Sequence, residues 1–294
     1  PCSACGAHEA RTVCSGRDRL HGRAGRFSVV ECERCGLMRT TPRPTRAQLG
    51  EYYPADYRPY ASEVPGKWRE AVRRLLGDPT PVPPQGAGRL LEIGAASGTF
   101  LLQMQRRGWE VTGLEWDEAA AARAAMRTGA RVAAGDVADA GFPPEAFDLV
   151  CAWMVLEHLE EPRRALERFW QWLRPGGWLA FSVPDAGGWQ FRWFREDWYA
   201  LDLPRHLHHF TVPLLGEWLT SIGYEPPVVR WLPTLADVPM SLAFRVESRL
   251  GSRMGRATRA VARSLPSRAL SRVLGRPAAA LRLTGGLTIW ARKP

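Results

Sequence analysis

No run of eighteen or more apolar residues occurs in the 294-residue sequence, so no segment reads as a helix long enough to cross a bilayer. No secretory pattern opens the chain either. Cysteine is scarce: the six are not arranged as a disulfide framework. Acidic residues are nearly absent from one stretch, Arg245 to Arg282, which holds ten arginines, no lysine and only Glu247. That stretch carries almost the whole formal net charge of +10, leaving the rest close to neutral. At 45% hydrophobic and 24% charged residues, the composition is that of a globular protein, long enough for one α/β domain plus a smaller unit.

Four of the cysteines form two knuckles, Cys2-x-x-Cys5 and Cys32-x-x-Cys35, each followed by glycine. Thiolates spaced this way on two turns can face one tetrahedral ion, which reads as a zinc ribbon. With four thiolates no coordination position stays open, so the zinc is expected to be structural. Cys14 reads as a bystander in the ribbon and Cys151 as a core residue of a strand.

Leu90 to Phe100, LLEIGAASGTF, reads as a buried strand from Arg89 to Ile93, a small-residue turn, and a helix starting at Gly98 or Thr99. Gly94, Ala95, Ala96, Ser97 and Gly98 leave the backbone open to a ligand. Glu92 ends the strand, and Glu115 closes the next apolar run, where a carboxylate can grip ribose hydroxyls. This is a nucleoside-binding βαβ unit. Its glycines do not match the dinucleotide fingerprint, since Gly94 and Gly98 lie four apart and no third follows.

Downstream come a strand from Arg131 to Ala134 ending in Gly135-Asp136, a strand Ala146 to Cys151 running into Trp153-Met154-Val155-Leu156-Glu157-His158, a helix from Pro162 to Leu173, Arg174-Pro175-Gly176-Gly177, and a strand Trp178 to Val183. Strands alternating with helices predict an α/β fold with a parallel doubly wound sheet. The turn E-x-G-x-A-x-G with this following order resembles the class I S-adenosylmethionine-dependent methyltransferases. The resemblance implies a Rossmann-like seven-stranded sheet and a cofactor site of Glu92, Gly94, Ala96, Gly98, Glu115, Asp136, Val137 and Trp153. In that family the first acid lies near the cofactor's amino-acid portion, the second binds the ribose, and the acid at Asp136 meets the adenine amino group. Ala96 departs from the family pattern, standing where its middle glycine is usual.

Three of the six histidines, His206, His208 and His209, crowd the segment after the fifth strand, at the sheet edge where open α/β folds bind ligands. His206 is the expected general base and His209 the second candidate. His206 with Phe210 repeats a spacing found in ubiquinone-type and sugar methyltransferases. Glu157-His158 resembles a pair that in some ubiquinone O-methyltransferases holds a divalent metal, but Met154 stands where a further glutamate would be, and the pair reads as loop-bracing. The aromatic run from Trp189 to Tyr199 is either a pocket wall or core.

The expected organisation is a zinc ribbon over 1–45, an aromatic helical lid and Pro-rich linker over 46–88, the core over 89–235, an Arg-rich helical insertion over 236–284, and a closing strand over 285–294. Arg245, 249, 253, 256, 259 and 263 recur every three or four residues, as on one helical face. That face is a solvated surface, a contact for anionic lipid, or a contact for nucleic acid or a protein. The resemblance implies O-methylation of a hydroxyl on a sugar, glycolipid or small secondary metabolite. Alternatives are an RNA base methyltransferase, a C-methyltransferase acting on a nucleotide sugar, and a cofactor-binding scaffold without turnover. Nucleic acid is the weaker partner because the charge is confined to one insertion and no N-P-P-Y-type motif occurs. A cytoplasmic location is expected, either free or peripheral to the membrane.

Overall fold

The computed structural model describes residues 1–53 and 86–294. The greater part of the expected lid, with Tyr57, Tyr60 and Trp68, and the linker up to residue 85 lie outside the described residues. Within them, α1 (Arg46–Glu51) opens the arm, capped by Thr45, whose side chain accepts from the Gln48 amide in a capping box.

Seven strands make the main sheet, in the order β10-β11-β8-β7-β4-β5-β6. They are β4 (Arg89–Ile93), β5 (Glu110–Glu115), β6 (Arg131–Ala134), β7 (Phe147–Trp153), β8 (Leu173–Pro184), β10 (Val228–Trp231) and β11 (Gly286–Arg292). The first five run parallel, while β11 lies antiparallel to both β8 and β10, so the sheet is mixed. Parallel strands covered on both faces read as unbroken apolar runs, and β4 and β7 do so, with Leu90, Leu91, Leu149 and Val150 fully buried.

The helices of the core are α2 (Thr99–Gln105), α3 (Glu118–Thr128), α4 (Pro162–Trp172), the short α5 (Trp189–Phe194) and α6 (Val212–Ile222). Proline at the start of α4 gives up no intrahelical hydrogen bond there. Ala165, Leu166, Phe169 and Trp172 then bury one helical face, each large side chain contributing about 1.5–3 kcal/mol by burial. α6 buries Leu214, Leu215, Trp218 and Leu219 and stops at Gly223, in the left-handed conformation. β8 begins at Leu173, directly where α4 ends, so Arg174-Pro175-Gly176-Gly177 is strand with an irregular register against β7 and not a separate turn.

The second sheet is the ribbon: β1 (Ala10–Gly16), β2 (Phe27–Cys32) and β3 (Met38–Thr41), antiparallel throughout. It is not complete within 1–45. A fourth strand, β9 (His208–His209), comes from the core chain and pairs with β3. Cys2, Cys32 and Leu37 also belong to the main apolar core beside Leu156 and Phe210, so ribbon and sheet share one interior. Cys151 is buried as expected, with its Sγ 3.5 Å from the Leu91 carbonyl, and Cys14, read as a bystander, is buried in β1.

A buried ion-pair network rivets the two parts. Arg205 engages all five of its donors: Nη1 and Nη2 with the two Asp18 oxygens at 3.2 and 2.8 Å, Nε and Nη2 with Asp202, and Nη1 with the Tyr52 carbonyl. Asp18 also accepts from the amides of Leu20, His21 and Arg23. Burial works against its charge, but Arg205 and these amides outweigh it and hold the carboxyl below its usual range.

The insertion is helical, as α7 (Asp237–Leu250), α8 (Ser252–Arg263) and α9 (Leu265–Ala280). The expected single face of arginines is corrected here. Gly251, at φ +85°, breaks the helix, so Arg245 and Arg249 lie on α7 and the others on α8. Arg245 pairs with Asp197 and stacks on Trp193 and Phe194, and Arg259 pairs with Glu247.

Candidate functional site

The turn from β4 to α2 brings the backbone of Gly94 and Ala95 against β5, both amides donating to the Leu114 carbonyl at 2.8 and 3.2 Å. Gly94 adopts φ +72°, and a Cβ there would collide with Val155, so two reasons require glycine. Ala96 sits at φ +46°, a conformation that costs an L-residue about 1 kcal/mol. Its amide donates to Glu115 Oε2 at 2.7 Å, and the Asp117 amide donates to Oε1 at 3.1 Å. Glu115 thus stands at the C-terminal end of β5 with its carboxylate already aimed by the turn. Gly98, at φ +71°, precedes α2 and packs its bare Cα against Ala124 and Thr128.

Glu92 is buried at the end of β4, and its Oε2 has no hydrogen-bond partner among the described residues. Burial, then the charge of Glu115, pushes its carboxyl well above the usual range. A buried carboxyl with one oxygen unpartnered among the described residues is a place where a cationic ligand group would favour the carboxylate form. Asp136 follows β6 and accepts the Ala138 amide at 2.9 Å, with Val137 buried behind it. Trp153 ends β7 edge-on to Phe100, at 5.3 Å between ring centroids, its Nε1 without a partner among the described residues. The eight residues expected at a cofactor therefore lie at the C-terminal ends of β4, β5, β6 and β7, or in the turns that follow them. There an open α/β sheet presents backbone amides.

Beyond Val155 a short 3-10 turn (Leu156–His158) carries Glu157 and His158 beside His206. Ligand atoms of the three lie within 4.8 Å of one another. His206 Nδ1 lies 2.9 Å from the Ala200 carbonyl, which can only accept, so the proton is on Nδ1 and Nε2 holds the lone pair. Nε2 lies 3.9 Å from both Glu157 Oε1 and Asp202 Oδ2. Burial lowers the His206 pKa to about 4, against the Asp202 charge, which keeps the ring neutral at pH 7. Burial pushes Glu157 up to about 8, and neither of its oxygens has a hydrogen-bond partner among the described residues. Its backbone carbonyl does brace the loop, accepting the Leu207 amide at 2.8 Å. From sequence Glu157 reads as a brace, a reading that misses the place of its carboxyl beside His206.

His158 donates from Nδ1 to the Arg205 carbonyl at 3.0 Å, and the Tyr53 hydroxyl lies 2.9 Å from the same nitrogen. Tyr53 packs in turn against Trp116, 6.4 Å between centroids, next to Glu115. One aromatic contact therefore links the cradle to the histidine cluster.

His209 stands apart from this cluster. It is buried in β9, and its Nε2 lies 3.1 Å from Thr40 Oγ1. The single proton of Thr40 goes to the His206 carbonyl at 2.6 Å, so His209 Nε2 must be the donor and offers no lone pair there. His208 likewise faces the ribbon, with Nε2 2.9 Å from Ser3 Oγ.

At the knuckles, Cys2 and Cys35 sulfurs are 3.6 Å apart, as are those of Cys5 and Cys32, and all four lie within 4.8 Å. Sulfurs placed tetrahedrally at about 2.3 Å from one ion stand about 3.8 Å apart. The four thiols fit such an ion. Gly6 and Gly36 both take φ +72°, and a Cβ on either would meet nothing, so backbone conformation, not space, requires glycine after each knuckle.

A family described as a methyltransferase domain matches residues 60–227. Malonyl-[acyl-carrier protein] O-methyltransferase of Serratia marcescens is 29% identical over 168 residues, covering 57% of this chain and 64% of that protein. Ubiquinone biosynthesis O-methyltransferase of Pseudomonas fluorescens is 29% identical over 147 residues, covering 46% and 63%. The chain thus spans just under two thirds of these relatives. Phosphoethanolamine N-methyltransferase 2 of Haemonchus contortus, solved in complex with S-adenosyl-L-methionine, shares the fold at a TM-score of 0.50 and 18% identity, over 85% of this chain and 57% of that one. With more than half of its length matched, the chain belongs to the methyltransferase domain family.

Proposed function

We propose that the protein transfers a methyl group from S-adenosylmethionine to a hydroxyl of a sugar, glycolipid or small secondary metabolite, with His206 taking the hydroxyl proton. When bound, the sulfonium supplies an activated methyl, whose bond to sulfur breaks with its electron pair left on sulfur. The chain's residues have the rest to do. Glu115 offers its carboxylate to the ribose, Glu92 becomes ionised beside the ammonium, and the Gly94–Gly98 turn lets the cofactor lie on the backbone. His206 accepts the proton at Nε2 as the new carbon–oxygen bond forms, and Asp202, whose burial is outweighed by the Arg205 guanidinium that holds its carboxyl below the usual range, supports the resulting imidazolium. The O-methyltransferase names of the relatives support oxygen as the acceptor atom. A structural zinc on Cys2, Cys5, Cys32 and Cys35 would fix the ribbon against β9.

One observation carries the base assignment: a neutral imidazole with its lone pair turned away from the backbone, beside a carboxyl that has no hydrogen-bond partner. The test is methyl transfer from radiolabelled S-adenosylmethionine to a panel of sugar and phenolic hydroxyl acceptors. His206→Ala is expected to lower turnover by about 10²–10⁴-fold while affinity for S-adenosylhomocysteine stays unchanged. Turnover unaffected by the substitution would remove His206 as base, and label found only on nitrogen or carbon would remove the hydroxyl.

A further inference from the structure

The two outer helices of the insertion are amphipathic in the wrong direction for water. What α8 and α9 bury is small: Gly255 on α8, and Ser271, Gly275 and Ala278 on α9. A Cβ on Gly275 would collide with the backbone of Pro233, and one on Gly255 with the Glu247 side chain, so α9 packs flush on the chain after β10 and α8 flush on α7. The large apolar residues point outward. Val261 is 68% exposed, Leu265 79%, Val273 71% and Leu281 69%. On α9 Leu270 and Val273 share a stripe at helical spacing, with Leu281 just past the helix end, and Arg268, Arg272 and Arg276 form a neighbouring one at intervals of four. No acidic residue follows Glu247 anywhere in the sequence.

We infer that this face lies on an anionic lipid surface, with the apolar stripe entering the boundary of the acyl chains and the arginines meeting lipid phosphates. Exposed aliphatic side chains in a group are costly in water, and an interfacial helix is the arrangement that buries them beside cations. Charge selects this occupant over others. A second copy would set one arginine row against another of the same sign, which repels. Nucleic acid would engage the arginines but leave the leucines and valines in water. No helix among the described residues is long and apolar enough to cross a membrane, so the contact is with the surface. It concerns where the protein sits and stands independently of the acceptor assignment.

The test is co-sedimentation of the whole chain with phosphatidylglycerol–phosphatidylcholine vesicles and with phosphatidylcholine vesicles, at low and high salt. Binding is expected to the anionic vesicles only and to weaken with salt. Arg268→Gln with Arg272→Gln should weaken it about thirtyfold, and Leu270→Ser with Val273→Ser should weaken it about tenfold or more, both with unchanged melting temperature because all four side chains are exposed. Absence of binding at low salt, equal binding to neutral vesicles, or indifference to either pair would overturn the inference. So would a concentration-dependent dimer in sedimentation velocity that the apolar pair abolishes.

Discussion

Arg205 shows how one side chain can join parts that are 187 positions apart in the chain. Its guanidinium is fully enclosed between Asp18 of the ribbon hairpin and Asp202, and its own carbonyl orients His158. Burying three charges is favourable only because every donor is met. Arg205→Ala would leave Asp18 charged and enclosed without its partner. Stability should fall by about 3–5 kcal/mol, read from urea unfolding, whereas a loss below about 1 kcal/mol would mean that the pair behaves as an exposed one. Neither Asp18 nor Arg205 stands out in the sequence, because an ion pair between distant loops leaves no periodic trace. Glu157 was hidden for the same reason. It sits beside a histidine in sequence and reads as a brace, and only the return of His206 to the same place gives its carboxyl a neighbour. Glu92, Gly94, Gly98 and Glu115 were legible, since strand, turn and helix are contiguous and their spacing is local.

At the scale of elements, legibility follows how strongly the ends are punctuated. β4 and β6 have the boundaries expected from their apolar runs, because a glycine follows each one. β8 runs longer than expected, as Pro175 and two glycines suggest a turn while pairing with β7 already starts at Leu173, before them, and resumes at Trp178, after them. The two residues of β9 are too few to show any alternation, so the fourth ribbon strand could not be read. The arginine period ran on through Gly251 although the helix did not. The ribbon's knuckles are the element whose stability should depend on metal. About one zinc per chain is expected by elemental analysis, and Cys35→Ser or a strong chelator should remove it and lower the melting temperature. Because Cys2, Cys32 and Leu37 share the main core, the loss should reach beyond the ribbon. A metal-free chain melting at the same temperature would show that the thiols hold themselves together.

At the scale of the whole molecule, an α/β sheet sets a cradle at its C-terminal edge, a ribbon closes one flank through β9, and a helical arm extends from the other end of the chain. The cradle is the centre of the account, and calorimetry with S-adenosylhomocysteine addresses it most directly. Glu115→Gln keeps an oxygen for the turn but removes the charge, so affinity should fall by about ten- to a hundredfold, the range of a hydrogen bond to a charged group. Titration in buffers of different ionisation enthalpy should show proton release on binding, as Glu92, whose ionisation is disfavoured by burial and by Glu115, becomes charged beside the ligand's ammonium. Binding that is lost in Glu115→Gln and releases a proton in the parent protein is the predicted result. Equal affinity in the two proteins with no proton released would contradict it.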